Sequence, residues 1–445
     1  MLNIKHQAKY KTNEENHKQS RTPNYRFLLS HCGELLTEVL ENPSFPADIL
    51  ITRFFRDRKY LGSRDRGFIS DNIYSILRNI FFYDFILHGD YTVKQIIILH
   101  CIKTNLVPDE RMLCEAMEID DGDIPKVKKL VKTALEKIET LTDIKRCSIL
   151  FSLPEFIVER IFKEHNLEWS EKLFESLNKQ APITLRTNTL VTDREELIVN
   201  LMAQGIPSGA GKISKDSIIL QRRINANALI EFKEGHFELQ DEGSQMICEL
   251  LDPKPTSKIF DACAGSGGKA LHLSALMKGR GSIIIHDTNA RRLGESKTRL
   301  KRSTVQNVRT MNNEEYLENK KSLVGKFDIV LIDAPCTGAG VLRRNPGARM
   351  NLDVNTLERM IAVQTDVLND YSQLVKKGGY LLYATCSLLT EENELQIENF
   401  LEKNKEWKIK PFKSKSDILS NDGSMRLWSH IHGTDCFYSV LLEKK

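Results

Sequence analysis

The chain has 445 residues, 41% of them hydrophobic, with a mean hydropathy of −0.34 and a formal net charge of +4. That length allows two or three domains, and the balance is that of an ordinary globular protein with a sizeable core. No apolar run approaches the ~18 residues of a spanning helix, which argues against a membrane protein.

The opening stretch, MLNIKHQAKYKTNEENHKQS, has no apolar segment and carries glutamates. Neither a secretory signal nor a transit peptide is expected from it, so the expected location is the cytoplasm. Residues 1–25 are polar and aperiodic and are expected to form a flexible tail. From 26 to 145 the pattern is helical. Leu28, Leu29, Leu35, Leu36, Val39 and Leu40 recur at helical spacing, and Ile69, Ile73, Ile76, Leu77 and Ile80 repeat it. Pro and Gly are sparse there, so an all-helical domain is expected.

Residues 146–250 are expected to form a helical linker and a small α+β subdomain. The segment from 150 to 180 predicts two helices, the first with Pro154 at its start. ITLRTNTL (183–190) predicts a strand, and TDREELIVNLMAQG predicts a helix ending at Gly205. From 251 to 445 the rhythm is strand–loop–helix. Strands are predicted at 258–261, 282–287, 308–311, 327–333, 380–385 and 437–442. Such alternation predicts an α/β domain with a parallel sheet covered on both faces, its active site at the carboxyl ends of the strands.

Positive charge clusters in two places. Residues 53–78 hold seven Arg and Lys against three Asp, and residues 291–309 hold seven against one Glu. A charge run is usually a solvated helix face. Two such runs, with Arg343, Arg344 and Arg349, favour a polyanionic partner.

The nine cysteines are Cys32, Cys101, Cys114, Cys147, Cys248, Cys263, Cys336, Cys386 and Cys436. They show no CxxC and no metal-like spacing, so free thiols and no metal are expected. Most should be buried and inert.

The first α/β strand runs into DACAGSGGKALHLSALM. Gly265, Gly267 and Gly268 permit a tight turn and close approach of backbone to a ligand. Asp287, at the end of the next strand, is placed to accept hydrogen bonds from a ribose. The loop is neither GxGxxG nor GxxxxGK[ST], which disfavours a dinucleotide dehydrogenase and a P-loop enzyme. It suits S-adenosylmethionine. Two further strands each run into a cysteine, in FDIVLIDAPCTGAG and YLLYATCSLLTEENE. In a parallel sheet both thiols reach one edge.

DACAGSGGK, FDIVLIDAPCTGAGVLRRNP and YATCSLLTEENE, in this order, resemble the motifs of the Nol1/Nop2/Sun family of RNA cytosine-5 methyltransferases. The resemblance covers about residues 150–445. LGSRDRGFISDNIYSILRN is similar to the NusB-like RNA-binding domain of a bacterial branch that methylates 16S ribosomal RNA. The resemblance implies a Rossmann-like S-adenosylmethionine-dependent fold and methyl transfer to carbon 5 of a cytosine in 16S rRNA. It implies Cys386 as nucleophile, Cys336 as the helper in product release, and Asp333 and Lys269 beside cofactor and target base. It places the cofactor on Cys263, Ala264, Gly265, Ser266, Gly267, Gly268, Lys269, Asp287, Asn312 and Asp333. Arg343 and Arg344 would grip RNA phosphates, and a monomer with no membrane partner is expected.

The physical case is independent of the family. Carbon 5 of cytosine is too weak a nucleophile to take a methyl group until a thiolate adds to carbon 6. The chemistry does not say which thiol attacks.

The chain also departs from the pattern. Ala264-Gly265-Ser266-Gly267-Gly268-Lys269 stands where the family usually has Ala-Ala-Pro-Gly-Gly-Lys, which predicts a more flexible loop. Asn312, or Asn313, stands where the family has the third-strand acid that holds the adenine, and Asn312 is taken as its replacement. Gly347-Ala348-Arg349-Met350 follows RRNP in place of Asp-Ile-Lys-Trp, and Cys436 replaces a glycine. A transfer-RNA methyltransferase and a non-catalytic RNA-binding assembly factor remain as alternatives. The retained cysteines speak against the latter.

Overall fold

The computed structural model describes residues 23–413 and 417–445. Most of the expected tail, residues 1–22, lies outside them. Tyr25 already belongs to the first helix, Tyr25–Glu41, whose N-cap Asn24 accepts from the Phe27 amide.

Seven helices, from Tyr25–Glu41 to Asp123–Ile138, close around one core. Leu29, Leu35, Leu36, Val39, Ile69, Ile73, Ile76 and Leu77 all lie in it, as their spacing predicts, whereas Leu40 is half-buried. Helices Glu155–Glu164 and Leu167–Asn178 then lead into a four-stranded antiparallel sheet. Its strands are β1 (Ile183–Thr187), β2 (Ser208–Ala210), β3 (Ser217–Leu220) and β4 (Phe237–Leu239), in the order β2-β3-β1-β4. Helix Arg194–Ala203 covers it through Leu197 and Leu201, which pack on Leu185, Ile218 and Phe237.

The remaining strands form one eight-stranded sheet: β5 (Lys258–Asp261), β6 (Ser282–His286), β7 (Val308–Met311), β8 (Phe327–Asp333), β9 (Val375–Thr385), β10 (Trp407–Ile409), β11 (Met425–Leu427) and β12 (Phe437–Lys444). The order is β10-β12-β9-β8-β5-β6-β7, with β11 on β12. β5 to β9 are parallel. β12 corrects the expectation of an all-parallel sheet, because it enters between β9 and β10 antiparallel to both. The chain reverses between β11 and β12, which pair antiparallel, so β12 runs back against β9. An apolar run carries no sign of direction, and sequence spacing could not reveal this.

Two apolar layers cover the sheet, one with Ile259, Leu271, Ile285 and Leu382, the other with Phe260, Val330, Tyr371 and Tyr383. Among the described residues no helix is long and apolar enough to cross a membrane.

The arginines after β8 are part of this architecture, which corrects the phosphate-gripping role expected for Arg343 and Arg344. Arg349 is fully buried, and its guanidinium donates to the Arg78 carbonyl at 2.9 Å, to the Phe151 carbonyl at 3.2 Å and to Asn178 Oδ1 at 2.8 Å. Burial, and then Arg78, lower its pKa to about 9. Arg343 pairs with buried Asp435 at 2.7 Å. Arg344 pairs with Asp435 and, at 2.6 Å, with Asp241. Those acids lie far away in sequence, so the charge run concealed its partners.

Candidate active site

Asp261 ends β5, Asp287 follows β6, Asp333 ends β8 and Thr385 ends β9, all at the same sheet edge. The loops beyond them line a cleft of ≈ 890 Å³. Of the candidate residues, Cys263, Ala264, Gly265, Ser266, Gly268, Lys269, Asp287, Asp333, Cys336 and Cys386 line it. Gly267 sits behind the loop. Its φ of +81° starts helix Gly268–Leu276, and a Cβ there would press on Ser296 at 3.3 Å. Asn312 is not part of the lining. It caps helix Asn313–Leu323, accepting from the Glu315 amide at 2.8 Å while Glu315 accepts from its own at 2.9 Å.

Gly265 has φ +55°, and its amide donates to Asp287 Oδ2 at 2.8 Å. The Asn289 amide donates to Asp287 Oδ1 at 2.7 Å. Asp287 therefore shapes the loop while each oxygen keeps acceptor capacity for a ligand. The missing loop proline has a substitute. Ser266 Oγ accepts from Arg299 at 2.6 Å, and Arg299 pairs with Glu238 of β4 at 2.9 Å. Arg302 pairs with the same carboxylate. Burial opposes the charge on Glu238, but the two arginines hold its pKa below the ordinary value. Arg186 of β1, also buried, donates to the Gly268 carbonyl at 2.7 Å. The small sheet thus braces both sides of the loop.

Lys269 and Asp333 form an ion pair in the cleft. Burial would discharge Lys269, but Asp333 outweighs it and raises the pKa, so the ammonium stays charged. Behind them lies Asp261, which sequence reading did not single out. It is fully buried. Burial, and then Asp333, push its carboxyl up to about 8, so it keeps its proton at neutral pH.

The two thiols meet at the other end of the cleft, with Cys336 Sγ 3.4 Å from Cys386 Sγ. The contact with Cys386, and then burial, raise the Cys336 pKa well above the ordinary value. Either sulfur can donate in this contact, and the raised pKa disfavours the thiolate form of Cys336. Glu392 was also missed by sequence reading. Its buried carboxylate accepts from the Thr337 amide at 2.8 Å, from Thr337 Oγ1 at 2.5 Å, from Gln364 at 2.9 Å and from Ser387 Oγ. It clamps the residue after each cysteine. The available signal was an acid six residues past Cys386, on a turn leading back to the cleft. Gly340 completes the support. Its amide donates to the Cys386 carbonyl at 2.9 Å, and a Cβ would come within 2.5 Å of the Cys436 carbonyl. Cys436, at the departure from the family's glycine, is buried behind the site and accepts from the Ser429 amide at 3.3 Å.

Known proteins share this plan. The family described as 16S rRNA methyltransferase RsmB/F matches residues 248–443, and the RsmF/B-like ferredoxin-like domain matches residues 153–227. A probable ribosomal RNA small subunit methyltransferase B of Synechocystis is 30% identical over 306 residues, 66% of this chain and 67% of that protein. The chain belongs to the RsmB/F family of RNA methyltransferases. The probable small subunit methyltransferase B of Bacillus subtilis is 27% identical over 93% of this chain and 97% of its own. The human 28S rRNA (cytosine(4447)-C(5))-methyltransferase is 30% identical over 67% of this chain and 39% of that protein. Among solved structures, the crystal structure of PH0851 superposes with a TM-score of 0.76 at 26% identity, over 96% of this chain and all of that one. The eight-stranded domain has the Rossmann-like fold of S-adenosylmethionine-dependent methyltransferases.

Proposed function

We propose that this protein methylates carbon 5 of a cytosine in 16S ribosomal RNA, with S-adenosylmethionine as methyl donor and Cys386 as covalent nucleophile. The observation that carries this reading is the pair of thiols 3.4 Å apart in one cleft with the glycine loop and Asp287. The cleft fits the cofactor: backbone that a ligand can approach closely, an acid with free acceptor capacity and a buried apolar floor. When bound, S-adenosylmethionine supplies an electrophilic methyl group. The protein's own groups do the rest. The Cys386 thiolate adds to carbon 6, and the electron pair moved to carbon 5 makes that atom nucleophilic. Asp333 accepts from the exocyclic amine, and its ion pair with Lys269 holds it in place. After methylation a water molecule accepts the carbon 5 proton, the C5=C6 bond re-forms, and the C6–S bond breaks with Cys386 leaving as thiolate. Cys336 assists that release beside the departing Cys386 sulfur. The target base has to leave its stack or lie in a single strand to reach the thiols. Bisulfite sequencing of 16S rRNA from cells with and without the gene tests the reading. A 5-methylcytosine that disappears with the gene supports it. An unchanged 16S pattern with a missing transfer-RNA mark assigns the activity to transfer RNA.

Asp287→Ala should weaken cofactor binding about tenfold or more, because a charge-assisted hydrogen bond contributes about 1.5–3 kcal/mol. Calorimetric titration with S-adenosylmethionine measures it. Unchanged affinity removes Asp287 from the cofactor site.

The NusB-like helical domain is proposed to hold the RNA. Arg53, Arg56, Lys59 and Arg64 are exposed there. Arg58 and Arg66 are less available, since Arg58 lies over the Phe54 ring at 3.8 Å and Arg66 donates to the Leu61 carbonyl at 2.9 Å. Changing the four exposed residues to Gln should lower RNA affinity. The log–log salt slope should shrink by about one for each phosphate no longer neutralised. Cofactor affinity should not move. An unchanged slope would mean that this face is only solvated.

A further inference from the structure

Away from the catalytic cleft, three ligand-type side chains from three elements meet where the small sheet packs on the large one. His272 stands on helix Gly268–Leu276, Glu249 on helix Glu242–Leu251, and Asp216 in the turn before β3. One donor atom of each lies within 4.8 Å of the other two. His272 is fully buried, and neither ring nitrogen has a hydrogen-bond partner among the described residues. Its Nε2 points at Asp216 Oδ2 from 3.6 Å, too far for a hydrogen bond. A buried imidazole with both nitrogens unpaired is costly unless something fills the gap. Glu249 is already oriented, since its Oε1 accepts from Ser214 Oγ at 2.5 Å.

We propose that Asp216, Glu249 and His272 form a binding site for one divalent transition-metal cation, Zn²⁺ the best fit, which staples the small sheet to the helix carrying Lys269. One imidazole and two carboxylates are ligands that zinc accepts, with a water completing four-coordination. A tetrahedral zinc with bonds of ~2.0–2.2 Å keeps its ligand atoms about 3.4 Å apart. The His272–Asp216 separation is close to that value, and a small inward swing of Glu249 closes the set. The cation would neutralise two carboxylates that otherwise face each other with little solvent. It would also give His272 Nε2 the partner it lacks. His272 lies one turn beyond Lys269 on the same helix, so occupancy would brace the cofactor loop from behind. The proposal is independent of the RNA substrate and of the thiol chemistry.

The test uses the full chain, stripped with chelator and then titrated with Zn²⁺ and, separately, with Co²⁺. One equivalent of Zn²⁺ should bind, and the thermal midpoint should rise with occupancy, because the site exists only in the folded chain. Bound Co²⁺ should show ligand-field bands of a nitrogen–oxygen site without the thiolate charge-transfer band. Glu249→Gln keeps size and hydrogen-bonding capacity and should weaken Zn²⁺ binding by roughly tenfold to a hundredfold. Asp216→Asn should do the same, with circular dichroism checking the fold of both. If both variants fail to fold, the metal-dependent rise of the wild-type midpoint and the Co²⁺ spectrum decide alone. A thiolate band, affinity unchanged in both variants, or no stoichiometric Zn²⁺ uptake would overturn the site and leave an ordinary buried His–Asp contact.

Discussion

Asp333→Asn should destabilise the protein and reduce methylation by about two to three orders of magnitude, while Lys269→Met should do nearly the same. Lys269 is almost wholly buried and has Asp333 as its ion-pair partner. Removing one member of a buried pair leaves an uncompensated charge, which costs about 3–5 kcal/mol. Asp333 is a third exposed, so the cost of stranding it in Lys269→Met should fall at or below the low end. The catalytic loss has a different origin. A fixed charge aimed at the reacting base is worth about 10²–10³ in rate. The double variant Lys269→Met/Asp333→Asn separates the two effects. With neither charge left, stability should return toward the wild type, because coupled sites are not additive. Methylation should stay abolished. Chemical denaturation and single-turnover methylation measure the two quantities. A double variant that regains both stability and activity would make the pair purely structural and remove Asp333 from the target-base site.

How much of this site was legible depended on how local the signal was. The glycine loop after β5, Asp333-Ala334-Pro335-Cys336 after β8 and Thr385-Cys386-Ser387 after β9 each occupy a few consecutive residues. Parallel topology then brings their ends together, so the cleft could be anticipated. The failures came from pairings that no local pattern encodes. Arg343 and Arg344 look like phosphate ligands until Asp435 and Asp241 are seen beside them. Ser266 looks like a loosened loop until Arg299 is found holding it. Asn312 stands where an adenine ligand is expected, at the end of β7, but the same position is a helix N-cap, and an amide serves either role. Glu392 sits in an acidic helix-start sequence that normally signals capping. Only the return of its turn onto Thr337 and Ser387 makes it a clamp on both cysteine loops.

The two cysteines should separate by the species each variant accumulates. Cys386→Ser should abolish methylation and form no covalent RNA adduct, because a serine hydroxyl is hardly ionised at neutral pH and adds poorly to carbon 6. Cys336→Ser leaves the nucleophile in place. Addition and methyl transfer should proceed, release should slow, and a protein–RNA species that survives a denaturing gel should build up. The geometry supports this order. Contact with Cys386, and then burial, raise the Cys336 pKa well above the ordinary value, which disfavours Cys336 as the attacking thiolate. Glu392 bonds to the neighbours of both, so Glu392→Gln should lower methylation without selecting either intermediate. That variant is the control for general disorder of the loops. An adduct with Cys386→Ser and none with Cys336→Ser would reverse the roles, making the thiol after β8 the nucleophile. Full activity in both single variants, with no adduct in either, would refute covalent catalysis by this pair and leave the 3.4 Å approach of the sulfurs as packing.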